Sequence, residues 1–314
     1  MRLSFARVEE AARTIDPVFL RSPQYACEPL GAALGVALTL KVETVNPVRC
    51  FKGRGASFCV SQLEGDGPLV CASAGNFGQA MAYACRARGR RLVVFAGVAA
   101  NPLKIERMRA LGAEVRLAGE DFDAAKVEAR RWAVEAGLQF VEDGLEAATA
   151  EGAGTSGVEM SGLPLDAMLV PLGNGALLGG VALALRTLVP GVKIVAVQAA
   201  GAPAMTESLV GGKIVCHAEM KTIADGIGVR IPIPETLEYL QGMADQFLLV
   251  GEDSIVAGMR AIHRHAGLVV EPSGAVGVAA LLENPELFQG QRVGTILCGG
   301  NLTAEQMREW LGPG

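Results

Sequence analysis

Aromatic side chains are scarce in this 314-residue chain, with two tryptophans, three tyrosines and ten phenylalanines making 5% of it. A basic stripe is also missing. Lys and Arg occur in short groups such as Arg86, Arg88, Arg90 and Arg91, and the formal net charge is −5, so a nucleic-acid backbone finds nothing to lie along. The three histidines, His217, His263 and His265, form no ligand cluster, and the seven cysteines, odd in number, follow neither metal-knuckle nor disulfide spacing. These absences speak against a zinc module or an oxidised scaffold and lead us to expect a reducing, cytoplasmic setting. The longer apolar runs, such as 176–185, are short and broken by glycine, so no membrane span is expected. Residues 1–15 carry two acids and no sustained apolar stretch, which argues against a signal peptide.

What is abundant is glycine, 40 residues, within a chain that is 50% hydrophobic and long enough for one large domain or two smaller ones. Short branched-apolar runs alternate with longer alanine-rich runs of helical spacing, the pattern of β-α units on a parallel sheet. Strands are expected at 69–73, 91–96, 113–118, 167–171, 193–198 and 292–298, and helices at 78–88, 101–111, 121–136, 176–188 and 275–283. The stretch 144–162, rich in Gly, Ala, Thr and Ser, reads as a domain edge. An early strand at 36–43 is placed with the later sheet, which makes the middle region an insertion. The expected division is 1–64 plus 146–314 for a large discontinuous domain and 65–145 for a small one, with ligands in the crevice at strand C-terminal ends.

Three glycine-bearing segments follow expected strands: Ser73-Ala74-Gly75-Asn76-Phe77-Gly78, Gly173-Asn174-Gly175-Ala176 and Gly299-Gly300-Asn301. In the second, consecutive small residues before a helix suit an anion such as phosphate, although a tight turn alone explains the same letters. It is not a Walker loop, since no Gly-Lys-Ser or Gly-Lys-Thr follows, and Leu178 breaks the dinucleotide GxGxxG spacing. Lys52 lies between Phe51 and Gly53. It is either a solvated surface amine or one held in an aldehyde-binding cleft.

Taken together, Phe51-Lys52-Gly53-Arg54-Gly55-Ala56, Ser73-Ala74-Gly75-Asn76, Pro171-Leu172-Gly173-Asn174-Gly175, Thr222-Ile223-Ala224-Asp225-Gly226, Glu271-Pro272-Ser273-Gly274-Ala275 and Gly299-Gly300-Asn301 resemble the fold-type II pyridoxal phosphate (PLP) enzymes. Within them the chain is similar to the threonine and serine dehydratase and serine racemase group. The resemblance implies an α/β fold with two parallel-sheet domains and PLP in the cleft, the tryptophan synthase beta-like arrangement. It implies that Lys52 carries PLP as a Schiff base and later takes the Cα proton, that Phe51 leans on the ring and that Asn76 bonds its 3-hydroxyl. Gly173, Asn174, Gly175 and Ala176 would hold the phosphate, and Cys298 would face the pyridine nitrogen. Ser73, as a catalytic and substrate residue, would receive the substrate carboxylate with Gly75 and Asn76, and Ala74, Phe77 and Arg49 would border the substrate. The implied reaction is β-elimination from L-threonine or L-serine to a 2-oxo acid and ammonia, in a homodimer. A larger 3-hydroxy amino acid, β-replacement, and a non-catalytic PLP-fold binding protein are the alternatives.

The chain departs from the group at several of these positions. Ala74 stands where racemases have serine and has no proton to transfer, which favours elimination. Phe77 replaces a common histidine, Arg49 and Cys50 replace Gly-Ser, and Asn174 interrupts a run of glycines. Arg49 would suit a second carboxylate, as in 3-hydroxyaspartate, and Phe77 an aromatic β-substituent, as in phenylserine; each is equally an ordinary surface or space-filling residue. Gln198 and Ala204 occupy positions where acids commonly bind a divalent cation, so no metal is expected.

Overall fold

The computed structural model describes residues 2–312. Its strands, in chain order, are β1 (Gln24–Ala26), β2 (Ala37–Val42), β3 (Leu69–Ala72), β4 (Leu92–Ala96), β5 (Glu114–Leu117), β6 (Gln139–Val141), β7 (Ala167–Pro171), β8 (Lys193–Ala199), β9 (Gln246–Val250) and β10 (Arg292–Leu297). Strands β3, β4 and β7 are buried at every position, as expected when helices cover both faces of a parallel sheet. One sheet has the order β1-β2-β10-β7-β8-β9 and the other β5-β4-β3-β6. The pairings are parallel except for the edge strand β1, which runs antiparallel to β2, a refinement of the all-parallel expectation.

The expected strands are present, β7 with the expected bounds and the others with one or both ends shifted by one residue, and the early strand does join the later sheet: β2 pairs with β10 from Ala37 opposite Arg292 to Val42 opposite Leu297. That register sends the chain after Val42 and the chain after Leu297 out of the sheet side by side. Strands β1, β6 and β9 were not anticipated. The first two have three residues each, too few to show a period, and β9 is only partly buried.

The stretch 144–162, expected as a domain edge, has regular structure of its own. It holds a 14-residue helix, Ala147–Met160, nearly all of it buried, which packs against the helices Lys52–Gln62 and Ala176–Leu188. Its small residues serve close packing rather than flexibility. A β-carbon added at Gly55 would lie 2.4 Å from the Thr149 carbonyl oxygen, and one at Gly180 would lie 2.0 Å from that of Ala150.

The same contact buries Arg54 completely. Its guanidinium donates to Glu43 at 2.9 and 3.1 Å, to Glu159 at 2.6 and 2.9 Å, to Thr155 Oγ1 at 2.9 Å and to Ser22 Oγ at 3.0 Å. Lys52 stands half a turn before this anchor, at the first position of its helix.

Candidate active site

Backbone pairing places Lys52. The Phe51 N–H donates to the Cys298 carbonyl at 2.9 Å, Cys50 bridges Gly299, the Gly300 N–H donates to the Arg49 carbonyl at 2.9 Å, and Asn301 Nδ2 donates to the Val48 carbonyl at 3.0 Å. The segment before Lys52 is thereby stitched to the turn after β10. Lys52 Nζ lies 2.6 and 2.8 Å from the two carboxylate oxygens of Asp143, 5.1 Å from the Phe51 ring centroid and 5.8 Å from that of Phe77. Its side chain is 13% exposed, which decides for the cleft over the solvated surface.

The cleft around this amine is lined by Phe51, Asn76, Cys298 and the turn Gly173, Asn174, Gly175 and Ala176, joined by Asp143, Gly226, Glu271 and Ser273. The turn leads into the helix Ala176–Leu188, whose first N–H groups have no intrahelical acceptor and whose dipole places positive charge there. Gly175 has φ +91, and an added β-carbon would lie 2.4 Å from Leu240 Cδ1 and 2.8 Å from Thr236 Cγ2. Gly175→Ala is therefore expected to cost about 1–3 kcal/mol and to weaken PLP retention. Thermal unfolding with and without PLP checks this; an unchanged melting temperature and cofactor content would show that the turn tolerates the methyl group.

Ser273 Oγ is buried and has no hydrogen-bond partner among the described residues, and Cys298 Sγ donates to the Ser273 carbonyl at 3.4 Å. Burial, helped by Glu271, pushes the Cys298 thiol well up, so it stays neutral. A turn at a helix N-terminus, apolar side chains, a primary amine and a hydroxyl with no partner among the described residues fit a small phosphorylated ring aldehyde with polar ring atoms. Each donor set suits one part of that molecule.

Asn76 opens the helix Asn76–Ala87, two residues earlier than expected, and sits in a buried network. Its Nδ2 donates to Glu271 Oε1 at 2.6 Å, and its Oδ1 accepts from Asn301 Nδ2 at 2.8 Å. The Asn301 N–H donates to Glu271 Oε2 at 3.0 Å, and Arg107 donates to Asn301 Oδ1. Complete burial pushes the Glu271 carboxyl up to about 7, against the pull of Lys104 and of the donors from Asn301 and Asn76. Lys104, itself buried, pairs with Asp225 at 2.6 Å, which ties the loop before Gly226 to the four-stranded sheet's helix Pro102–Ala110.

Not every expected site residue reaches the cleft. Ser73 Oγ accepts from the N–H groups of Gly75 at 3.2 Å and Gly78 at 2.9 Å, so its lone pairs cap the turn. Ala74 lines an outer groove with Asn101, Asp225 and Thr303. Gly75 faces Lys104, whose Nζ would be 3.8 Å from an added β-carbon. Phe77 is buried in the core, with its ring towards Lys52. Arg49 has φ 53, is exposed, and lines a separate groove with Gln79 and Arg107. It is not among the residues lining the Lys52 cleft, which fits an ordinary surface residue better than one that borders the substrate. Asp143 and Lys104 were missed by sequence reasoning; the one available signal was an acidic pair, Glu142-Asp143, closing a strand before Gly144. Gln198 is buried, and its Oε1 accepts from the Thr206 N–H at 2.9 Å.

Residues 15–299 match the family model described as pyridoxal-phosphate dependent enzyme. The chain belongs to this family. Its fold is that of the fold-type II PLP enzymes, and PLP is its cofactor. It is 34% identical to an L-threonine ammonia-lyase of Thermotoga maritima, over 94% of this chain and 75% of the relative. It is also 34% identical to an L-threonine ammonia-lyase of Geobacter sulfurreducens, over 96% of this chain and 76% of the relative. The structure of maize serine racemase superposes with a TM-score of 0.92 at 27% identity, covering 98% of this chain and 97% of that one.

Proposed function

We propose that this PLP enzyme is an ammonia-lyase that eliminates the β-hydroxyl of L-threonine or L-serine and releases a 2-oxo acid and ammonia. The observation that carries the reading is the convergence, in one buried cleft, of the Lys52 amine and the helix-capping turn 173–176. Water is lost from the substrate and taken back in hydrolysis, so the reaction balances with no outside oxidant or reductant.

Bound PLP supplies an electron sink that acidifies the substrate Cα–H. The chain's own residues do the rest. Lys52 holds the cofactor and, once released, takes the Cα proton, with Asp143 beside it to stabilise the ammonium. The turn 173–176 would anchor the phosphate, and Phe51 would pack on the ring. Asn76, held from two sides by Glu271 and Asn301, orients towards the ring hydroxyl. Cys298 and Ser273, neutral groups lining the cleft, would hold the ring nitrogen of the cofactor without adding charge there, a setting that would favour prompt loss of the hydroxyl. The Ser73–Asn76 loop takes the substrate carboxylate, with Lys104 behind Gly75. Ala74 offers no proton, which favours elimination over racemization.

The reading extends to a small substrate domain, 65–145, opposing a large domain made of 1–64 and 146–314, in a cytoplasmic homodimer. The sheet arrangement supports the division, since β3 to β6 lie within 65–145 and the other strands outside it. The free cysteines, six of the seven buried, support the reducing compartment. Among the described residues, no helix is long and apolar enough to cross a membrane.

The test is an absorbance spectrum of the PLP-loaded protein followed by ammonia release from L-threonine, L-serine, phenylserine and threo-3-hydroxyaspartate. The expected result is a lysine-linked cofactor band and fastest turnover of threonine or serine. A loaded protein that turns over neither would overturn the proposal.

A further inference from the structure

Asp143 is a carboxylate inside the cleft whose effect on substrate choice the proposed function leaves open. It follows β6, its side chain is 16% exposed, and both its oxygens lie within 2.8 Å of Lys52 Nζ. Among the described residues Lys52 is its one ion-pair or hydrogen-bond partner.

Asp143 also stands where two spaces meet. With Asn174, Gly228 and Val229 it lines both the Lys52 cleft and a larger outer cavity. The cations of that outer cavity are already committed. Lys126 lies 3.5 Å from Glu142 and 3.8 Å from Asp123, Lys221 lies 3.3 Å from Glu219, and Arg230 pairs with Asp121 at 3.3 Å and with Asp123. Lys104, near the Ser73–Asn76 loop, is paired with Asp225. Arg49, the residue suited to a second carboxylate, lies in a different groove.

We propose that Asp143 is a specificity-determining residue that restricts the substrate to β-hydroxy amino acids whose side chain carries no second negative charge. The inference rests on the proposed function, in which Lys52 carries the cofactor and the cleft admits an amino acid. While an amino acid enters, the Lys52 nitrogen is still bonded to the cofactor and is no free ammonium for Asp143, so the charge of Asp143 falls on the entering side chain. A neutral or cationic side chain is accepted there, and a second carboxylate is repelled at close range.

L-Asparagine and L-aspartate have nearly the same shape, differ by one charge and lack a β-hydroxyl to lose. Titrating each into the PLP-loaded protein, with the absorbance change of the bound cofactor as readout, isolates that charge. The wild type is expected to bind asparagine at least about tenfold more tightly, and Asp143→Asn to bring the two within about twofold. Asp143→Glu, which keeps the charge, should keep most of the preference. In parallel, the ratio of kcat/KM for L-threonine to that for threo-3-hydroxyaspartate should fall at least about tenfold in Asp143→Asn. Equal binding of the two ligands by the wild type, or an unchanged preference in an Asp143→Asn protein that retains PLP, would overturn the inference. If Asp143→Asn does not load PLP, the wild-type titration decides. Failure of the proposed function is a separate outcome: a loaded wild type that releases no ammonia from any β-hydroxy amino acid, whatever the titration shows.

Discussion

Lys52→Ala is expected to abolish the lysine-linked absorbance of bound PLP and to lower ammonia release from threonine by at least about a thousandfold, because in the proposed mechanism one amine performs covalent attachment and proton transfer. Lys52→Arg separates charge from chemistry. A guanidinium preserves the pairing with Asp143 but is a poor partner for an aldehyde, so it should retain thermal stability while losing both the band and the activity. The absorbance spectrum and a steady-state ammonia assay check this. Retained absorbance with retained turnover in either variant would place the reactive amine elsewhere.

Arg54→Ala has the largest expected effect on folding. The substitution strands Glu43, which is fully buried, and removes the guanidinium that joins it to Glu159. Breaking a buried pair by removing one partner costs about 3–5 kcal/mol, a large share of the stability of an ordinary domain. Arg54→Lys recovers only part of it, since an ammonium does not reproduce the forked geometry that reaches two carboxylates and two hydroxyls. Equilibrium unfolding in urea reads the difference; a loss below about 1 kcal/mol would show that the cluster is dispensable.

The same cluster has a pH signature. Burial alone raises the Glu159 carboxyl, but Arg54 and Lys41 outweigh it and hold the group below its ordinary range. A depressed folded-state value means that its contribution is present above the ordinary carboxylate range. It is lost as pH falls through the folded-state value.

The buried strands at the middle of the sheets were legible because a parallel strand covered on both faces must be a short apolar run, as in Leu-Val-Cys-Ala of β3 and Leu-Val-Val-Phe-Ala of β4. The three glycine segments were legible for a related reason, since a turn at a strand C-terminal end needs small residues. They do follow β3, β7 and β10. Other features depend on what folding brings together. The helix Ala147–Met160 was not expected at the domain edge, because Gly, Ala, Ser and Thr look alike whether they make a loop or a close helix contact. Asp143 and Lys104 gain their partners across 91 and 121 residues of chain, a relation that no local pattern displays. For Arg49 the sequence left a surface residue and a substrate contact both open, because adjacency to Lys52 along the chain does not fix which groove a side chain lines.

Placing PLP on Lys52 underlies both the proposed elimination and the role of Asp143. Borohydride reduction of the PLP-loaded protein, followed by proteolysis and peptide mass spectrometry, tests it most directly, because reduction fixes the cofactor to the nitrogen that held it. The expected result is one pyridoxyl-modified peptide carrying the label on Lys52; a label on Lys104, on another lysine, or on none would contradict the assignment.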